Sequence, residues 1–266
     1  MNSKILGSCL ILTVILVIPG LSAFTVTPPR IEFEGIPGET CIGTFTVINL
    51  GETEEEIQIS LFDWTIDTEG IIQQKPPGTL ERSLCPWVVL SDWQFKLGPR
   101  ESKDVEVRLE IPDDPGEGSH WGMVVVSGNP VPVEAEGGQF IMRVNVTYGV
   151  CLYYTNPVSV TRAGIISDVS LSSDSEDGHA IRFVFKNTGN TILRPQGYIL
   201  IRDASGADVC EINVDQFFVL PGGMCKVTEK IGEDLPEGDY LAIVVIDYGG
   251  ENLVAGQRAF EIGGPP

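Results

Sequence analysis

Positive charge is scarce in this sequence: 17 Lys and Arg stand against 37 Asp and Glu, for a formal net charge of −20 at pH 7. So acidic a chain repels phosphate backbones and anionic headgroups, which argues against nucleic acid and membrane surfaces as partners. Histidine is scarcer still. Only His120 and His179 occur, and neither has a Cys or His neighbour at metal-ligand spacing. His179 follows the turn Asp174-Ser-Glu-Asp-Gly178, whose acidic spacing is that of a calcium loop without the distal glutamate that would close it. No Gly-x-Ser-x-Gly elbow, His-Glu-x-x-His pair or phosphate-binding loop is present. With no metal set and no cofactor motif, the sequence reads as that of a protein without enzymatic activity.

Long apolar runs are lacking too, except at the start. Residues 5–18 are dominated by Ile, Leu and Val, follow Lys4, and are broken by Pro19-Gly20. Leu21-Ser22-Ala23 then supplies small residues at the offsets that signal peptidase requires, so residues 1–23 read as a cleaved secretory signal peptide. The run is short for a membrane span, and Cys9 precedes most of it, the wrong side for a lipoprotein anchor. The expectation is a soluble periplasmic or extracellular protein with no membrane insertion after signal removal. The 243 of 266 residues that remain are enough for two separate cores.

Helical periodicity is almost absent. Glycine (30) and proline (18) punctuate the chain, and the segments between them alternate apolar and polar residues in the period of half-buried strands. From residue 24 to 157 the pattern predicts strands at 31–33, 44–50, 57–66, 87–97 and 103–111. The last two are read as a hairpin around Gly98-Pro99-Arg100, and residues 71–84 as an irregular excursion. Trp121 to Ser127 is apolar throughout, as in a central strand buried on both faces. The segment Phe140 to Pro157 reads as one strand of about 16 residues, where most run to 5–6. Its first half places Phe140, Met142, Val144, Val146 and Tyr148 on one face. Such a row faces either its own core or, on an uncovered edge, an added strand from another chain. A further seven strands are predicted over 163–264, with turns at Asp177-Gly178, Ser205-Gly206, Gly222-Gly223 and Gly249-Gly250. The fold class is therefore all-β, two immunoglobulin-like β-sandwich domains in tandem, hinged near residues 156–164.

Five cysteines follow residue 23: Cys41, Cys85, Cys151, Cys210 and Cys225. In an oxidising compartment disulfides are the default. Cys210 and Cys225 flank Val219-Leu-Pro-Gly222 on neighbouring strands and form the best-placed pair, closing a loop of about 15 residues worth roughly 3 kcal/mol. Cys41 with Cys85 is the second pairing. Cys151 is left over, either a free thiol or a small buried apolar residue. Asn145-Val-Thr147 matches a glycosylation sequon but lies within a strand, where it is discounted.

The first domain resembles the periplasmic chaperones of the chaperone–usher pilus pathway. The resemblance runs through Pro28-Pro-Arg-Ile-Glu-Phe-Glu-Gly35, Phe45-Thr-Val-Ile-Asn-Leu-Gly51, Phe95-Lys-Leu-Gly-Pro-Arg-Glu-Ser102, Trp121-Gly-Met123 and the long strand. It implies a non-enzymatic two-domain protein whose long strand lends alternate apolar side chains to an incomplete partner subunit. It also implies two basic cleft residues that hold the partner's C-terminal carboxylate. Carried over, Arg30 is the first base and Phe140, Met142, Val144 and Val146 are the lending row. The second base falls at Cys151, which supplies no positive charge. The second domain, through Phe185-Lys-Asn-Thr-Gly-Asn190, Val219-Leu-Pro-Gly222 and Leu235-Pro-Glu-Gly-Asp-Tyr240, resembles generic immunoglobulin-like modules of bacterial surface proteins, which fixes fold and not activity. Two readings follow: a chaperone-like protein binding pilin-like or surface subunits by β-strand addition, and a structural or adhesive surface spacer.

Overall fold

Alternation becomes strand along nearly the whole chain. The computed structural model describes residues 24–129, 131–134, 141–174, 178–232 and 235–263. The expected signal segment and Phe140 lie outside these, as do three residues of the acidic turn before Gly178. Among the described residues the only helical element is a 3-10 turn, Cys85–Trp87, with Pro86 in its first turn.

The first half contributes β1 (Phe24–Thr27), β2 (Arg30–Phe33), β3 (Thr40–Asn49), β4 (Glu55–Ile66), β5 (Ile72–Lys75), β6 (Val88–Leu90), β7 (Gln94–Leu97), β8 (Ser102–Glu110), β9 (Ser119–Ser127), β10 (Val131–Glu134), β11 (Ile141–Val144) and β12 (Thr147–Thr155). One sheet has the order β1-β3-β8-β6, the other β2-β12-β9-β4-β5, with β7 also paired to β4. Their inner faces supply the core. Val105, Val107 and Leu109 point inward from β8, Phe45 and Val47 from β3, and Val124, Val126, Val150 and Leu152 from the other sheet, all fully buried. The second half contributes β13 (Gly164–Asp174), β14 (Gly178–Asn187), β15 (Gln196–Asp203), β16 (Asp208–Val214), β17 (Met224–Lys230), β18 (Gly238–Asp247) and β19 (Val254–Ile262). These form sheets β13-β14-β17 and β16-β15-β18-β19 around a separate core that includes Phe183, Phe185, Ile199, Ile201, Val244 and Ile246. Both units are sandwiches of the immunoglobulin-like kind.

Several elements depart from the sequence expectation. The predicted strand 87–97 is two strands on opposite sheets: β6 pairs with β8, whereas β7 crosses to pair with β4. Ser91 makes the change of sheet, its N–H bonded to Glu106 O and its hydroxyl accepting from Glu106 N–H. The excursion at 71–84 is ordered by one carboxylate. Asp63, fully buried, accepts the N–H groups of Thr79 and Leu80 on one oxygen and the Ser83 hydroxyl on the other. Burial opposes its charge, but these hydrogen bonds outweigh burial and hold its carboxyl below the usual range. The long strand breaks at Asn145-Val146 into β11 and β12, and its partner breaks opposite, so β10–β11 extends the β9–β12 hairpin as a separate ribbon.

None of the five described cysteines is joined in a disulfide. The expected Cys210–Cys225 bridge is not formed: Cys210 lies on β16 opposite Ile201, and Cys225 lies on β17 of the facing sheet, opposite Phe185. Nor are Cys41 and Cys85 joined. Cys41 packs at the edge of the first core with its thiol directed at Glu34 O, and Cys85 is buried with its thiol directed at Phe62 O. Burial, then the hydrogen bond with Asp63 and its charge, pushes the Cys85 thiol up to about 12, which disfavours the reactive thiolate.

Candidate functional site

β9 is apolar on both faces because two units use it. Its inward residues belong to the first core. Its outward residues, Trp121, Met123 and Val125, are covered with Trp64 of β4 by Leu220, Phe218 and Ile192 from the second sandwich. The Trp64 and Phe218 rings stack at 5.9 Å, and the indole N–H groups are satisfied, Trp64 donating to Gly122 O and Trp121 to Trp64 O. A polar seam closes the junction. Ser119 N–H donates to Asn190 O at 2.8 Å, its hydroxyl lies 2.9 Å from that of Thr191, and Ile192 N–H donates to the same hydroxyl. Gly118 is required here: its φ is +73°, and a Cβ would stand 1.9 Å from Asn190 O. The connecting segment expected to hinge is bonded along its length. Asn156 N–H donates to Gly118 O, Thr161 N–H to Asn190 Oδ1, and Asn190 Nδ2 to Ser159 O.

At the rim of this junction lies an open cleft of about 600 Å³, with Glu32, Glu34, Tyr153, Thr155 and Arg162 in its wall. Two features run into it. The first is a strand edge. β12 pairs with β9 from Thr147 to Thr155, but on its other side it meets β2 only from Cys151 to Tyr154, in parallel. Among the described residues no strand pairs with that outer edge over 147–150, and β11 pairs with β10 alone. The even-numbered row of β12 faces the core: Val150, Leu152 and Tyr154 are buried, and Tyr148 packs half-buried against Phe24, ring centroids 5.1 Å apart. Val146 is half-buried just before β12. Met142 and Val144 stand on β11 opposite Val133 and Val131.

The second feature is charge. Arg30 and Cys151 are direct partners in the β2–β12 register, so the positions of the two expected cleft bases are adjacent and only one carries a base. Burial raises the Cys151 thiol, which is neutral. A second guanidinium arrives instead from the other sandwich. Arg194 sits in the loop between β14 and β15, after Leu193, which exchanges two backbone hydrogen bonds with Val219, and before Pro195, whose carbonyl accepts from Phe217 N–H. Its Nη2 lies 2.8 Å from Glu32 Oε1, and its guanidinium carbon lies 5.7 Å from the Tyr153 ring centroid and 5.8 Å from that of Phe218. Arg30 Nε stands 3.5 Å from the same Glu32 oxygen. One carboxylate is thus shared by two guanidiniums, one from each sandwich.

No protein-family model matches the chain, and no curated protein matches it. Solved structures do. The chain is similar to the class 5 fimbriae chaperone CfaA over 88% of its length and 98% of that chain, at 11% identity and a TM-score of 0.48. It is similar to the E. coli chaperone DraB over 90% and 97%, at 16% identity and 0.43. It is also similar to the Acinetobacter baumannii chaperone–tip subunit complex CsuC–CsuE over 87% and 97%, at 13% identity and 0.44. These neighbours are chaperone–usher pilus chaperones.

The structure brings Arg30 together with Cys151 and leads the β11–β12 edge toward them. Sequence reasoning missed Arg194 and Glu32. Arg194 is 162 residues from Glu32, and an Arg-Pro pair in a loop carries no recognisable signal. Glu32 lies inside a quoted motif, two residues after Arg30, a spacing that puts both side chains on one face of a strand. The histidines take no part. His120 is buried beside Trp87 and Tyr154, and the main chain of His179 accepts a hydrogen bond from Ile231 N–H. Among the described residues no group of three His, Cys, Asp or Glu is arranged to hold a metal, and no helix is long and apolar enough to cross a membrane.

Proposed function

We propose that this chain is an exported, non-enzymatic chaperone-like protein that holds pilin-like or surface subunits by β-strand addition along the β11–β12 edge. Met142, Val144 and Val146, with Phe140 one step further out, lend apolar side chains to the partner. Arg30 receives the partner's terminus where the edge enters the cleft. The observation that carries this reading is the strand edge itself, which no strand among the described residues pairs over 147–150 and which is directed at Arg30. Such an edge offers backbone hydrogen bonds for affinity and alternate side chains for specificity.

Each apolar side chain buried by a partner contributes about 1.5–3 kcal/mol, and every 1.4 kcal/mol is tenfold in affinity. Val144→Asp is therefore expected to weaken binding of an extended peptide of alternating Val and Thr by at least roughly tenfold, with the thermal midpoint almost unchanged. Loss of the fold with no peptide binding by the wild type would overturn the proposal, since the row would then serve its own core. Arg30→Ala is expected to have a smaller effect, because Cys151 stands where a second base would.

A second reading, a structural or adhesive spacer, is favoured by one observation. The junction between the sandwiches is packed over the outward face of β9 and bonded at its Ser119 end, which suits a rod that holds its ends apart. The two readings separate on the peptide experiment, because a spacer needs no open edge.

A further inference from the structure

The Arg30–Glu32–Arg194 cluster has the composition of a carboxylate receptor already occupied from within. Glu32 Oε1 lies 2.8 Å from Arg194 and 3.5 Å from Arg30. Both guanidiniums keep donors to spare, since a guanidinium has five N–H groups in a fixed fork. Arg194 is the more confined arm, its side chain 29% exposed against 60% for Arg30. Tyr153 and Phe218 lie within cation–π range of it, and its loop is bonded on both flanks. Its orientation is therefore largely set before any ligand arrives. Glu32 is half exposed and sits on β2, whose register with β12 places Arg30 beside the end of the open edge.

We infer that Arg194, from the second sandwich, is the second cationic arm for a partner's terminal carboxylate, and that Glu32 is an internal carboxylate the incoming group must displace. This rests on the strand-addition reading and adds a gate to it. A strand end arriving with a free carboxylate exchanges one anion for another between the same two guanidiniums, at little electrostatic cost. A strand end without that charge must leave Glu32 in place or strand two cations. The gate thus selects for chain termini over internal strands, and it operates only while the two sandwiches stay joined.

The test has two arms. In the first, acetate is titrated into ¹⁵N-arginine-labelled protein and the side-chain resonances of Arg194 and Arg30 are followed. Glu32→Gln is expected to lower the half-saturating acetate concentration roughly three- to tenfold, the range that releasing two partly exposed ion pairs allows. Glu34→Gln, which removes the same charge from the same cleft wall without touching either guanidinium, should change it less than twofold. In the second arm, the alternating Val/Thr peptide is compared with a free-acid and an amidated C-terminus. The acid is expected to bind the wild type more tightly, Glu32→Gln to widen the difference and Arg194→Met to abolish it. Methionine keeps an apolar stem against Tyr153 and Phe218, so the junction survives. An acetate response unchanged by Glu32→Gln, or acid preference retained in Arg194→Met, overturns the inference and leaves strand addition standing. Acetate gating as expected with no peptide binding in either form overturns strand addition and leaves the receptor standing.

Discussion

Both ring nitrogens of His120 are buried without a hydrogen-bond partner among the described residues, a setting that a neutral imidazole tolerates and an imidazolium does not. Its neighbours are the Trp87 ring at 4.8 Å, the Tyr154 ring at 6.4 Å and the positive charge of Arg82. Burial, then Arg82, lowers its pKa from 6.5 to about 4. Protonation therefore favours the unfolded chain. The stability His120 permits is complete above pH 6.5, falls as pH drops from 6.5 to 4, and is level below that. The full loss is up to about 3 kcal/mol. Because many carboxylates also titrate in this window, the informative quantity is a difference. His120→Phe keeps an aromatic ring in place and is expected to match or exceed wild-type stability at pH 7 and to exceed it by at least about 1 kcal/mol more at pH 4.5. Urea unfolding at the two pH values measures this, and an equal difference at both would show that His120 does not titrate with folding. Residues at this scale were unevenly legible. Arg30 and Cys151 could be named as a pair of positions through resemblance, and the β2–β12 register makes them neighbours. Arg194 could not, because no local pattern distinguishes an arginine that crosses between sandwiches from one in water.

At the scale of elements, period-two alternation was a reliable guide wherever a strand has one wet face, and β8 follows it residue by residue. It failed where the partner decides. Residues 87–97 alternate well enough to read as one strand, yet the free edges available to them lie on different sheets, and the chain divides between β8 and β4. The sequence shows no fixed-period repeat, but the two sandwiches share a device at the end of one strand each. Asn49 ends β3 and Asn187 ends β14, both fully buried. Asn49 Nδ2 donates to Thr53 O, Leu97 O and Gly98 O while its Oδ1 accepts from Gly51 N–H. Asn187 Nδ2 donates to Thr191 O and Val219 O while its Oδ1 accepts from Gly189 N–H. The shared signature is Asn-x-Gly after alternating aromatic and aliphatic residues, Phe45-Thr-Val47 in one case and Phe183-Val-Phe185 in the other. Each asparagine amide replaces water for several backbone groups that the turn would otherwise bury unpaired. Losing it should cost roughly 1–3 kcal/mol for each group left without a partner. Asn187→Ala is expected to destabilise by about 3 kcal/mol in denaturant unfolding. Asn213→Ala, which removes only a surface bond to Asp215, should stay within about 0.5 kcal/mol. Equal effects would mean that Asn187 is not the support that its bonds indicate.

At the scale of the whole molecule, the deciding element is the apolar strand β9. Its continuous run from Trp121 was legible as a strand buried on both faces, but what covers the second face was not, since Ile192, Phe218 and Leu220 come from loops of the other sandwich. The bonded linker follows from that cover: two units sharing a buried face cannot swing freely about residues 156–164. Leu220 is the residue to test, because it is buried in the junction and belongs to neither core. Leu220→Asp sets a carboxylate against Trp64 and Trp121, and an unpaired buried charge costs more than the junction can offset. Each sandwich keeps its own core, so both should stay folded. The wild type is expected to melt in one calorimetric transition, and Leu220→Asp in two, with a larger radius of gyration in small-angle scattering. Separation would also carry Arg194 away from Glu32, so the acetate response of Arg194 should disappear in this variant while that of Arg30 persists. A single transition at an unchanged radius would mean that the polar seam around Ser119 and Asn190 holds the sandwiches together without the apolar contact.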